Sequence, residues 1–145
     1  MSADRADGVL SRFPADELDR LIATRRDLHR HPELAFEETR TAGIVAARVR
    51  ELGVEPRTGV GRTGVAADFP ASGPRILLRA DMDALPLVEE SSADYVSESP
   101  GRMHACGHDG HVSIALALAA RLSRHRAPGP YRLLFQPAEE GAGGA

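Results

Sequence analysis

Two unbroken apolar runs limit what this chain can fold into. "RILLRADMDALP" contains Ile76-Leu77-Leu78, and "YRLLF" occupies 131–135. A strand with one wet face alternates apolar and polar residues, whereas a strand covered on both faces reads as a continuous apolar run. Both runs therefore predict buried strands, the first of them central in a sheet. Each is followed by carboxylates: Asp81 and Asp83 after the first, Glu139 and Glu140 after the second. Binding sites in open α/β sheets gather outside the carboxyl ends of the strands, so these four acids become candidates together.

The remaining pattern supplies helices. Residues 16–30 place Leu18, Leu21, Ile22 and Leu28 near one face, with Asp16 as N-cap and the pair His31-Pro32 as stop signal. A second helix is predicted over about 37–52, closed by Gly53, and a third over 109–124. In the third, alanine and leucine recur almost all round, which predicts burial on most faces. "VEPRTGVGRTGVAADFPASG" reads as short strands broken by glycine and proline turns, and 84–102 as an irregular surface excursion. The order predicts an α/β domain with a mixed, mostly parallel central sheet flanked by helices. The chain stops in a glycine-rich segment directly after a buried strand, where a covering helix is expected. That ending reads as an amino-terminal piece of a longer protein.

With 42% hydrophobic and 27% charged residues in 145, the composition is that of a globular domain. A net charge of -3, 4% aromatics and scattered arginines with no lysine argue against nucleic-acid or membrane partners. Cys106 is the only cysteine, so no intramolecular disulfide forms and a reducing, cytoplasmic setting is expected. The amino terminus lacks the apolar stretch of a secretory signal, and "SIALALAARL" is too short to span a bilayer.

Reactive side chains concentrate in "GRMHACGHDGH", residues 101–111. Cys106 and His108 are separated by Gly107, a spacing that lets thiolate and imidazole reach one centre where glycine permits a close backbone approach. Thiolate, imidazole and carboxylate together suit zinc or another borderline divalent metal, and a thiolate can bridge two ions. The rival reading makes Cys106 a nucleophile paired with His108, for which one-residue spacing is poor. Glu139 and Glu140 are neighbours whose side chains diverge on extended backbone, so one can bind metal while the other serves as general base. Each feature has a bland counterpart: a tandem acid pair is ordinarily a solvated helix start, and a single Cys-x-His is weak. His29 and His31 read as a helix terminus and His125 as solvated, while His104 and His111 could each line the site. The conjunction of these features makes the case, since none of them is specific alone.

"LHRHPELAFEET", "ILLRADMDALP", "MHACGHDGH" and "FQPAEEGAGGA" occur in that order. Together they resemble the amino-terminal part of the metal-dependent amidohydrolases related to hippurate hydrolase, N-acyl-amino-acid amidohydrolases and auxin-conjugate hydrolases, in peptidase family twenty. The resemblance covers the chain from about residue 20. It implies a zinc-peptidase-like catalytic domain that hydrolyses the amide of N-acyl amino acids or short peptides through a metal-activated water. It makes Cys106, His108 and Glu140 metal ligands, Glu139 the general acid/base and Asp83 a supporting carboxylate. Asp81 sits where more distant relatives carry a metal-binding histidine. Two divalent ions, zinc or manganese first, are implied for a complete site. Residues 1–145 then form part of one catalytic domain, without the inserted dimerisation and lid domain of a homodimeric full-length form and without its downstream histidine ligands. The alternative is a catalytically incomplete metal-binding fragment.

Overall fold

The computed structural model describes residues 14–124, 129–141 and 143–144; His125 lies outside them. Helices α1 (Ala15–Arg30) and α2 (Thr39–Glu51) come first, followed by strands β1 (Arg57–Val60), β2 (Gly64–Phe69) and β3 (Ile76–Asp81). Helix α3 (His108–Arg124) and strand β4 (Tyr131–Gln136) complete the order. The four strands form one mixed sheet in the order β1-β2-β4-β3. The α/β expectation holds, with a different balance of directions. Only β3 and β4 run parallel, while β1–β2 and β2–β4 are antiparallel. A short glycine turn between β1 and β2 forces a hairpin, and parallel pairing needs the longer crossover that α3 provides.

One face of the sheet makes the core. Val65 and Ala67 of β2, Ala80 of β3, and Leu133 and Phe135 of β4 pack with Leu28, Val45, Val49, Val112, Leu116 and Ala119 from the helices. The alternation of side chains along each strand puts these residues on the helix-covered side. Helix α3 follows its predicted span and buries Val112, Leu116 and Ala119, yet Ile114 stands exposed.

Three expectations are corrected. The 76–78 run is not central: β3 is an edge of the described sheet, and Ile76 and Leu77 are 46% and 57% exposed. An apolar run records what a strand is suited to be covered by, and among the described residues nothing covers this end of β3. Asp16 does not cap α1, because Pro14 holds the cap position and no side chain bonds there. Proline lacks an N–H and is pre-set for the start of a helix, so Asp16 falls inside the first turn, where its charge favours the helix dipole. Ile22 is also exposed rather than part of the buried face.

Helix α2 is capped from a distance. The Glu33 carboxylate accepts the N–H groups of Arg40 (2.8 Å) and Thr41 (2.7 Å), which have no partner inside the helix. The Glu33 carbonyl accepts the Ala84 N–H at 2.8 Å, and reciprocal bonds between Leu85 and Met103 close the base of the 84–102 excursion. Through these bonds the segment before α2 and the segment after β3 are held together.

Phe135 is fully buried, so Phe135→Ala is expected to lower unfolding free energy by about 3–5 kcal/mol. Leu77→Ala at the open edge is expected to cost less than about 1 kcal/mol. Urea denaturation of both variants measures the contrast, and equal losses would contradict the edge placement.

Candidate metal centre

Because β3 and β4 are parallel and in register, Asp81 lies beside Gln136 and both strands leave the sheet at the same rim. The Met82 N–H donates to the Gln136 carbonyl (3.0 Å), extending the pairing one step further. Asp83 and the tandem acids come directly after. The Glu140 N–H donates to Asp83 Oδ2 at 2.9 Å, joining the two exits.

His108 opens α3, with Nδ1 2.8 Å from the Asp83 carbonyl oxygen. A carbonyl only accepts, so Nδ1 carries the hydrogen, and in the neutral ring Nε2 presents a lone pair. Nε2 faces Glu140 at 3.8 Å, Glu139 at 3.9 Å and Asp81 at 4.0 Å. These separations exceed a hydrogen bond. The His108 ring is buried, whereas Glu139 and Glu140 are partly open to solvent.

Cys106 lies in the turn before α3 and is exposed. Its thiol is held above its ordinary value, first by hydrogen bonding to the Glu140 carboxylate, then by burial, then by the charges of Glu140, Glu139 and Asp83. A bound cation acts in the opposite direction, because coordination deprotonates a thiol. Gly107 has φ +80° and no heavy atom near the place its Cβ would take. That positive φ is a left-handed turn which glycine adopts without steric cost.

The chemistry of this donor set fits a divalent cation. Three carboxylates surround one imidazole lone pair, and Asp81 Oδ1 and Asp83 Oδ1 are buried without hydrogen-bond partners. Asp81 does have charge compensation: Arg79 Nε lies 3.1 Å from that Oδ1, out of line for a hydrogen bond. Two groups bring their donor atoms within 4.8 Å of one another, His108–Glu139–Glu140 and Asp81–His108–His111. With Nδ1 committed to Asp83, both groups draw on the same Nε2. Cys106 belongs to neither group, although the Glu140 and Glu139 carboxylates act on its thiol.

A second buried cluster was not anticipated. His29 is buried, with Nδ1 2.7 Å from Asp109 Oδ2 and Nε2 3.2 Å from Glu89 Oε1. Arg25 Nε meets the same Asp109 oxygen at 2.8 Å. This network ties α1 to the first turn of α3, next to His108; His29 does lie in the last turn of α1, as expected, and is buried there. His104 is buried with neither ring nitrogen bonded, and burial above all pushes its pKa down to about 4. His31 bonds the Asp27 carbonyl instead, one turn back in its own helix. His29 belongs to the "LHRHPELAFEET" motif, yet nothing in its spacing says that His29 faces inward while His31 and Glu33 stay half-buried.

Comparisons with known proteins meet this geometry. Residues 77–145 match the model of peptidase family M20/M25/M40. A dinuclear metal-binding M20 peptidase from Bacillus subtilis, the YXEP protein, superposes with TM-score 0.85 at 41% identity, over 90% of this chain and 38% of its own. Hippurate hydrolase of Campylobacter jejuni is 46% identical over 83% of this chain and 32% of its own length. A Rhodococcus jostii protein carrying a glutamate–cysteine ligase name is 48% identical over 86% of this chain, but only 16% of that protein takes part. The chain thus spans about a third or less of the length of these curated relatives. Motif order and fold agree with these matches, and residues 77–145, just under half of the chain, carry the likeness to peptidase family M20/M25/M40.

Proposed function

We propose that this chain is the amino-terminal portion of the catalytic domain of a metal-dependent amidohydrolase acting on N-acyl amino acids or short peptide-like amides. The observation that carries the reading is His108 Nε2 facing the carboxylates of Glu139, Glu140 and Asp81 at 3.8–4.0 Å. Hippurate hydrolase, by its name, cleaves such an N-acyl amino acid.

In this reading Cys106, His108 and Glu140 hold the cation, zinc or manganese first, and a complete site holds two with ligands from further along the protein. A bound divalent ion supplies Lewis acidity, polarising the amide carbonyl and making water acidic. Asp83 fixes the ring of His108 through its carbonyl and the backbone of Glu140 through its carboxylate. Glu139 is the more open of the pair, with a carboxylate able to face substrate. It takes a proton from water as the new C–O bond forms at the carbonyl carbon. It returns that proton to the departing nitrogen as the C–N bond breaks, leaving a carboxylic acid and an amino acid. Arg79 reaches within 4.0 Å of Glu139 and keeps positive charge beside it.

Among the described residues no helix is long and apolar enough to cross a membrane. A reducing, cytoplasmic setting suits an unpaired thiol that serves as a ligand. A homodimer is proposed for the full-length form only.

Two measurements test the reading. In the full-length enzyme, Glu139→Gln is expected to lower kcat by roughly 10²–10⁴-fold while the metal content per chain stays nearly unchanged. Turnover of N-benzoylglycine and elemental analysis measure the two quantities, and retained activity would remove Glu139 as the base. In the 145-residue chain, Zn(II) is expected to slow the reaction of Cys106 with a thiol reagent, and a chelator to restore it. A thiol equally reactive with and without Zn(II) would detach Cys106 from the site.

A further inference from the structure

We infer that Glu38 is the positioning residue of the tandem acids, its buried carboxylate fixing the left-handed turn at Ala138 from which Glu139 and Glu140 project. The inference rests on the cation-binding reading of Glu140 given above. Glu38 is fully buried, an unusual place for a carboxylate unless its oxygens are satisfied. Oε1 accepts the Ala138 N–H at 2.8 Å, and Oε2 accepts the Thr63 hydroxyl. No cation is paired with it among the described side chains.

The bland explanation would make Glu38 a helix-capping residue, since it sits at the N-cap of α2. Its side chain makes no cap bond, however, and the α2 amides are taken by Glu33. Glu38 instead reaches across one hundred positions of sequence to a single amide. That amide belongs to a residue with φ +50°, a conformation that an alanine seldom adopts. Ala138 is itself fully buried, so losing Glu38 would leave its N–H without a partner.

The neighbouring pieces fit the same purpose. Pro137 seats against Gly64, where a Cβ would lie 2.9 Å from Pro137 Cδ and 2.3 Å from the Val60 carbonyl oxygen. Thr63, in the same β1–β2 turn, steadies the far oxygen of Glu38. Two residues beyond Ala138, Asp83 grips the Glu140 N–H. Two buried carboxylates from different parts of the fold therefore hold alternate amides and bracket Glu139. Its backbone is fixed on both sides while its side chain stays free. Such a bracket makes adjacent, chemically identical side chains inequivalent.

The test uses the ¹⁵N-labelled 145-residue chain as wild type, Glu38→Ala and Glu38→Gln. Amide hydrogen exchange reads the turn, and Co(II) titration monitored by thiolate-to-cobalt absorption reads the site. The Ala138 amide is expected to be protected at least about 100-fold in wild type and to lose most of that protection in Glu38→Ala. Leu133 and Phe135 amides should keep their rates and report an intact β4. Glu38→Gln, which preserves an acceptor oxygen, should restore Ala138 protection. Co(II) affinity is expected to fall about 10–100-fold in Glu38→Ala and to recover in Glu38→Gln. Unprotected Ala138 in wild type overturns the inference even if Glu38→Ala fails to fold. Normal Co(II) affinity in a folded Glu38→Ala chain overturns it while leaving the cation reading standing. Absence of any cobalt–thiolate band in wild type overturns the cation reading and this inference with it.

Discussion

Asp83 is the joint on which the site depends. Its main-chain carbonyl sets which nitrogen of His108 is free, and its carboxylate holds the amide of Glu140. One residue thereby fixes the direction of an imidazole and the position of an acid that come from different elements. The joint is possible because β3 and β4 are parallel neighbours, so that the chain leaving one strand emerges beside the chain leaving the other. A hairpin pair would have sent these exits to opposite ends of the sheet.

The same device recurs through the fold. Glu33, Glu38 and Asp83 are acids whose oxygens accept backbone N–H groups at a distance in sequence, capping α2, fixing Ala138 and fixing Glu140 respectively. A carboxylate accepting backbone amides makes a stronger bond than a neutral acceptor, and at Glu38 and Asp83 burial shields it from competing water. The four sequence motifs meet in space for this reason. Each supplies either a chemical group of the rim or the acceptor that holds another motif in place.

The residues of the proposed site stand out in the sequence. Cys106, His108 and the pair Glu139-Glu140 were marked by scarcity and spacing, and the 131–135 run does form a strand flanked on both sides by others. What could not be read was environment. The 76–78 run has the composition of a central strand, but centrality depends on what lies alongside, and composition does not report that. His29 does end a helix, but its burial is not legible because its partners, Asp109 and Glu89, lie 80 and 60 residues away. Glu38 stands at a helix start, where acids are ordinarily solvated, and its partners too are remote in sequence. Charge patterns indicate solubility well and buried polar contacts poorly, since both use the same side chains. Gly107 adopts a positive φ, a backbone sign that composition alone does not reveal.

The register of β3 against β4 sets where length changes can be absorbed. Adding or deleting one residue within 76–83 or 131–140 would turn side chains to the opposite face and carry Asp83 about 3 Å along the sheet away from Glu140. The 84–102 excursion has its two ends bonded at Leu85 and Met103, so material inserted beyond that bridge would leave the rim where it is. Variation in size within this fold is therefore channelled into the loop that borders the site and barred from the strands that build it.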